Sequence, residues 1–249
     1  MRSFRAAVQF ITLLPAGKTP VYQPRDMIAW FPAVGLLLGL ILAVFDALAC
    51  RLWAGAMVPA VLDVVLMVVM TGALHIDGLA DSADGLFGHR DKDTVLSIMK
   101  DSRIGVMGMA AVVCGLAVKF AGIASIPLLP AFERFFILLL VPGLARAAMI
   151  FGIRSLPYGR PAGGTGYDLF GAPLDIKRFW GLALCLLPAL LLGWRGIWLI
   201  LVFFALVYAI LYYYRRRMGC ITGDMLGAMI EVSESLLFLA ASIAFFQGG

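Results

Sequence analysis

A chain of 249 residues that is 62% hydrophobic and 14% charged, with a mean hydropathy of +0.97, is not a soluble domain; such domains carry about a quarter charged residues. The net charge of +5 on so apolar a chain points to a membrane protein rather than to a nucleic-acid partner. Cys50, Cys114, Cys185 and Cys220 form no C-x-x-C pair, so neither a disulfide framework nor a zinc site is expected, and they read as packing residues.

In chain order, Phe4, Ala7, Val8, Ile11 and Leu14 recur at helical spacing. They predict an amphipathic segment lying on the membrane surface, with a short re-entrant segment as the competing form. Arg2 and Arg5 resemble the start of a secretory signal, but the apolar stretch breaks at Pro15 and no small-x-small cleavage site follows. Apolar runs then predict spans at roughly 28–49, 57–74, 104–124, 135–151, 179–193, 197–214 and 225–246, most near the ~20 residues a bilayer requires. The run at 179–193 is short and holds Pro188. Continuous rather than alternating runs argue for helices over a β-barrel. The expected fold is all-α: a polytopic integral membrane bundle of about seven helices, one domain over 1–249.

With the N-terminus in the cytoplasm, fifteen of the 20 Lys and Arg fall on cytoplasmic segments, among them Lys18, Arg25 and Arg215–Arg217. Arg51, Arg134 and Arg195 fall on the opposite side, so the positive-inside rule favours N-in and C-out. The long cytoplasmic segments are then 75–103, 152–178 and 215–224, and chemistry is expected on that face.

The stretch LHIDGLADSADGLFG carries Asp77, Asp81 and Asp84 with no base among them. If the second span continues as a helix past Leu74, Asp81 lies about 40° and Asp84 about 20° from Asp77, on either side. One face of like charges needs a cation, and Mg²⁺ suits carboxylate oxygens shared with phosphate. His75 points elsewhere on the wheel. With His89 the only other histidine, a histidine-rich metal site is not expected. The DKD run at 91–93 reads as a solvated loop. A second acidic stripe, Asp224, Glu231 and Glu234, follows Thr222-Gly223. Asp224 reads equally as a helix cap or as part of a metal or substrate site. Glu231 and Glu234 lie in an apolar run, where ionisable groups face the bundle interior.

Among the bases, Lys100 and Arg103 flank Asp101 just before the third span, and Arg160 opens the glycine-rich RPAGGTGYD. Those glycines could offer N–H groups to a phosphate, or form a plain connector. Arg146 is placed to reach an anion, Lys119 to snorkel to the interface, and Arg215–Arg217 to anchor topology. Asp46 and Asp63 read as interfacial residues near helix ends.

LHIDGLADSADG, then MKDSRIGVMG, GRPAGGTG and RRRMGCITGDMLGAMIEVSE, with the opening FITLLP and FPAVGLLLG, resemble the cobalamin synthase (adenosylcobinamide-GDP ribazoletransferase) family across nearly the whole chain. Ala73 and Cys220 stand where that family's pattern is often glycine. The resemblance implies an Mg²⁺-dependent enzyme of the bacterial cytoplasmic membrane. It would join adenosylcobinamide-GDP to α-ribazole or α-ribazole 5′-phosphate and release GMP. It implies metal ligation by Asp77, Asp81 and Asp84, with Asp101 or Asp224 completing the set. Lys100, Arg103, Arg146 and Arg160 would hold diphosphate or GMP, and Glu231 or an aspartate would act as general base. It admits association with other membrane enzymes of the pathway and leaves oligomeric state open.

Asp81-x-x-Asp84-Gly85 also echoes part of the CDP-alcohol phosphotransferase motif, although the rest of that pattern is absent. A phospholipid-making enzyme is therefore the alternative, and a cation or proton transporter with acids at several depths is the rival from another class.

Overall fold

The computed structural model of the protein describes residues 2–17, 24–126, 129–160, 166–171 and 174–243. Lys18, residues 161–165 of the glycine-rich loop and the end of the last expected span lie outside the described residues. Regular structure among the described residues is helical, with one isolated bridge between Tyr158 and Ile221.

The helices are α1 (Arg2–Ile11), α2 (Pro24–Met27), α3 (Phe31–Leu52), α4 (Met57–Thr71), α5 (Leu74–Leu86) and α6 (Lys92–Ile98). They continue as α7 (Val106–Ser125), α8 (Ala131–Ser155), α9 (Trp180–Ala183), α10 (Leu186–Leu191), α11 (Trp194–Arg217) and α12 (Gly223–Ala241). Four stretches are long and apolar enough to cross a membrane: Pro24–Leu52, α7, α8 and α11. The bent pair of α4 and α5 makes up to five. The 179–193 run is not one continuous helix but the short α9 and α10. Helix α12 is 19 residues long and carries Asp224, Glu231 and Glu234, and nearly its whole circumference is buried. It is a central helix, against α5, α7, α8 and α11.

Burial separates the helices by role. The apolar window of α8 is 83% buried, whereas those of α7 and α11 are 22% buried. Helix α8 therefore forms the protein core, and α7 and α11 turn apolar side chains outward, as lipid-facing helices do. Helices α3 and α8 approach closely because Gly35 and Gly39 sit one turn apart at their crossing. A Cβ on either would stand 2.3 Å from a carbonyl oxygen, of Pro142 or Leu139. Such small-residue pairs let backbones meet where lipid supplies no hydrophobic drive.

Two elements differ from the expectations. The second span does not run straight into the acidic stretch. Gly72 and Ala73 both adopt left-handed backbone (φ +59° and +58°), ending α4 and turning α5 by 90°. Ala73 bears the steric cost of a Cβ in a conformation that glycine adopts freely, which accounts physically for a glycine at this point in the family pattern. The N-terminal helix forms at the expected spacing, but its apolar face is not spent on lipid. Ala6, Ala7, Val8 and Ile11 are buried in a core with Met27, Ile28, Phe31 and Met225, and Phe4 meets the Trp30 ring at 5.4 Å.

Candidate active site

Helix α5 carries its three aspartates on one face, as the 3.6-residue repeat requires. The adjoining flank of α5 meets the start of α12 at a close crossing. A Cβ on Gly78 would lie 2.7 Å from the Asp224 carbonyl oxygen, and one on Gly227 3.3 Å from the His75 Cα. This crossing brings Asp224 to the acidic face, so that the charged neighbours of Asp81 are Asp77, Asp224, Arg160 and Asp84. Asp77 is exposed, while Asp81 and Asp84 are half-buried.

Arg160 comes from the segment after α8. The backbone there pairs with residue 221, Gly159 N–H donating to Ile221 O (2.8 Å) and Ile221 N–H to Pro157 O (3.0 Å). So held, Arg160 donates to Asp224 Oδ2 (2.6 Å) and to Met99 O (3.1 Å), tying the loop before α7 to the start of α12. The cap reading of Asp224 passes to its neighbour: Thr222 Oγ1 accepts from Met225 N–H (3.2 Å) and caps α12. Asp224 is left to face Arg160 and the α5 acids.

Asp84 has a structural partner. Its Oδ2 accepts from Gly105 N–H (2.7 Å) and its Oδ1 from Gly108 N–H (2.8 Å), so it caps α7 from another helix. A Cβ at either glycine would come within 2.4 Å of the carboxylate; only glycine admits it. Negative charge at a helix N-terminus is favourable. Both oxygens keep a lone pair, yet Asp84 is pinned where Asp77 and Asp81 are free to take a ligand.

A small cavity of about 70 Å³ opens between α1, α5 and α12, lined by Phe10, Ile11, His75, Asp77, Gly166 and Asp224. Helix α1 is thus a wall of the site. His75, on the other side of the wheel from the acids as expected, also lines this cavity. It is 2% exposed, and neither ring nitrogen has a hydrogen-bond partner among the described residues.

The other expected site residues lie apart. Asp101 and Arg103 pair with each other at 2.6 Å on the loop before α7, and Arg103 is 87% exposed. That pairing holds the Asp101 carboxyl down to about 2, which makes it a poor base. Lys100 is exposed beside them. Glu231 and Arg146 do not reach the rim, because they are consumed inside the bundle. Lys119 Nζ donates to Glu231 Oε2 (2.6 Å) and Glu234 Oε1 (2.7 Å), and Arg146 donates to Glu234. All four are at most 5% exposed or nearly so. Lys119 is therefore buried and does not snorkel to the interface. It faces α12, where two carboxylates compensate its buried charge.

Three smaller readings are refined. Asp46 and Asp63 are buried within the protein, 3% and 0% exposed, and Arg134 donates to Asp46. Asp91 is not merely solvated: it caps α6, accepting from Thr94 N–H (3.0 Å) and Oγ1 (2.8 Å). Arg217 does more than anchor topology, donating to Leu86 O (3.3 Å) and Gly88 O (2.8 Å) at the end of the acidic helix.

Among the described residues, no group of three or more His, Cys, Asp or Glu is gathered to hold an ion unaided. The donor set fits a different use. Mg²⁺ typically takes one or two carboxylates and completes its shell with water and substrate phosphate, and Asp77, Asp81 and Asp224 supply carboxylates from two helices beside one arginine.

Fold and site together define an α-helical protein of membrane-spanning character, with a charged site on the face where α5, α12 and the segment after α8 meet. More particularly, residues 3–242 match the family described as cobalamin-5-phosphate synthase, and the chain belongs to that family. A protein of Pseudomonas putida (strain W619) named adenosylcobinamide-GDP ribazoletransferase is 38% identical, covering 98% of this chain and 100% of its own length. One of the same name from Pseudomonas fluorescens is 34% identical (98% and 100%), and one from Syntrophobacter fumaroxidans 36% identical (96% and 97%). No solved structure matches.

Proposed function

We propose that this protein is an adenosylcobinamide-GDP ribazoletransferase, joining adenosylcobinamide-GDP to α-ribazole or its 5′-phosphate with release of GMP. The observation that carries the chemistry is the meeting of Asp77 and Asp81 on α5 with the Asp224–Arg160 pair, 2.6 Å apart, from two other segments. A diphosphate needs positive charge at its oxygens and an in-line hydroxyl. Arg160 supplies one cation from the chain, and the surplus of acids calls for another. Mg²⁺ held by Asp77 and Asp81, with Asp224 completing the set, would neutralise the diphosphate and the leaving GMP. Lys100, exposed on the loop tied to Arg160 through Met99, would meet the nucleotide phosphate, whereas Arg103 is engaged by Asp101. The ribose hydroxyl oxygen bonds to the phosphorus that carries cobinamide, the bond from that phosphorus to the GMP oxygen breaks, and the hydroxyl proton passes to an aspartate of the α5 face. Glu231 is not that base, since Lys119 occupies it.

The reading extends to a bacterial cytoplasmic membrane protein, N-in, with the site facing the cytoplasm and α12 and the 179–193 region embedded with the apolar helices. Acids do lie at several depths, as a transporter would require. Inside the bundle Glu231, Glu234 and Asp46 are matched to Lys119, Arg146 and Arg134, while the Asp63 carboxyl beside Asp46 has no hydrogen-bond partner among the described residues; the full-length family match favours the transferase over both transport and a CDP-alcohol reaction. The test is GMP release from adenosylcobinamide-GDP and α-ribazole by membranes containing the protein, with Mg²⁺ and with excess EDTA. No release with Mg²⁺ ends this reading, and full release in EDTA removes the metal.

A further inference from the structure

A second and larger cavity, of about 640 Å³, adjoins the acidic site and has no role in the steps above. Its size falls within the ~300–1,000 Å³ of small-molecule sites. Its walls include Tyr158, Tyr167, Phe170, Arg25, Arg154 and Asp168. The Tyr158 ring lies 4.8 Å from Phe170 and 6.1 Å from Tyr167, which makes a compact aromatic surface. Arg154 is steadied by donating to Leu174 O and by lying 6.0 Å from the Phe179 ring. Asp168 projects from the exposed turn Tyr167–Leu169.

Aromatic rings stack on any base, but the polar groups discriminate. Arginine donors match the O6 and N7 acceptors of guanine. A carboxylate accepts from N–H groups, which guanine offers at N1 and N2. Inosine lacks the N2 amine, adenine offers no N1–H, and a benzimidazole has no use for the pair.

The cavity is also aligned with the reacting phosphates. Tyr158 pairs with Ile221 in a single parallel bridge, and the chain bends at Gly159 before Arg160. Arg160 follows two residues on, at most about 7 Å along the chain. Tyr158 lines the cavity, and Arg160 holds Asp224. Arg160 and Asp224 both act electrostatically on the Tyr158 hydroxyl. A base lying against Tyr158 would reach Arg160 with its phosphate across about one ribose.

We propose that this cavity binds the guanine of the donor nucleotide, with Tyr158 as the stacking surface and Asp168 as the specificity-determining residue. The assignment rests on the transferase reading above.

The test uses the purified full chain in nanodiscs and the free nucleotides GMP, IMP and AMP as probes. The wild type is expected to bind GMP about 10- to 100-fold more tightly than IMP or AMP, the worth of a good polar base contact. In Asp168→Asn, GMP affinity falls by that factor, IMP affinity falls less because it keeps only N1–H, AMP affinity stays within about twofold, and KM for adenosylcobinamide-GDP rises with kcat nearly unchanged. Tyr158→Ala weakens all three nucleotides alike. A thermal melt unchanged in Asp168→Asn, which lies on an exposed turn, separates recognition from folding. An Asp168→Asn protein with wild-type KM and wild-type preference for GMP overturns the proposal, as does a wild type that does not distinguish GMP from IMP. Selective, Asp168-dependent GMP binding by a protein that never releases GMP from the donor supports this site and overturns the reaction instead.

Discussion

The rim and the interior of the bundle both concentrate charge, but their arithmetic differs. Inside, Lys119 and Arg146 face Glu231 and Glu234: two cations and two anions, almost free of solvent. At the rim, Asp77, Asp81, Asp84 and Asp224 face one cationic side chain among the described residues, Arg160. Buried ions are tolerated when paired, and losing one partner leaves a costly orphan. A balanced interior group is therefore complete without a ligand. An unbalanced, half-open one is completed by something that arrives, and this distinguishes the part of the protein that holds it together from the part that binds.

That contrast can be broken at either end. The largest effect is expected at the rim: Asp81→Asn should lower GMP release by about 10³-fold, the upper range for losing one electrostatic contact at a reacting centre. Its melting temperature should match or exceed the wild type, because a repulsive charge is gone. Comparable loss of turnover is expected on chelating Mg²⁺, with recovery on adding it back. Next comes the interior, where Glu234→Ala strands Lys119 and Arg146 and should cost about 3–5 kcal/mol of stability, seen as early thermal aggregation of the detergent-solubilised protein. If Glu234→Ala left melting untouched and removed only turnover, the division between the two regions would fail.

Asp84 sits on the boundary and sharpens it. Its carboxylate caps α7, so Asp84→Ala should lose about 1–2 kcal/mol of stability, measurable as a lower melting temperature at matched expression. Gly108→Ala should reproduce that loss, since its Cβ would displace the same carboxylate. The smallest effect is at the bend: Ala73→Gly relieves a left-handed alanine and should stabilise the protein by up to about 1 kcal/mol without altering KM.

The acids on α5 were legible because their relation is local: one helix, one repeat, one face. The family was legible through four motifs in a fixed order. The partners were not. Lys119 meets Glu231 112 residues away, and Arg160 meets Asp224 64 residues away. No periodicity records such pairings. Arg146 read as an anion-binding group was right about the chemistry but not about the anion, which is Glu234 of its own chain. The α1 helix had the expected apolar face; lipid and protein are equally good covers for it by composition alone.

The order of residues by itself determined that the chain is helical and apolar enough for a membrane, that three carboxylates share a face, and which family's motifs it carries. Each of these depends on residue type and spacing within a turn or two. Tertiary structure alone decided which charges are spent on one another and which stay open to a ligand. A left-handed bend at Gly72 and Ala73 and a glycine-to-glycine crossing of α5 with α12 set that division, since they bring distant side chains within hydrogen-bond reach.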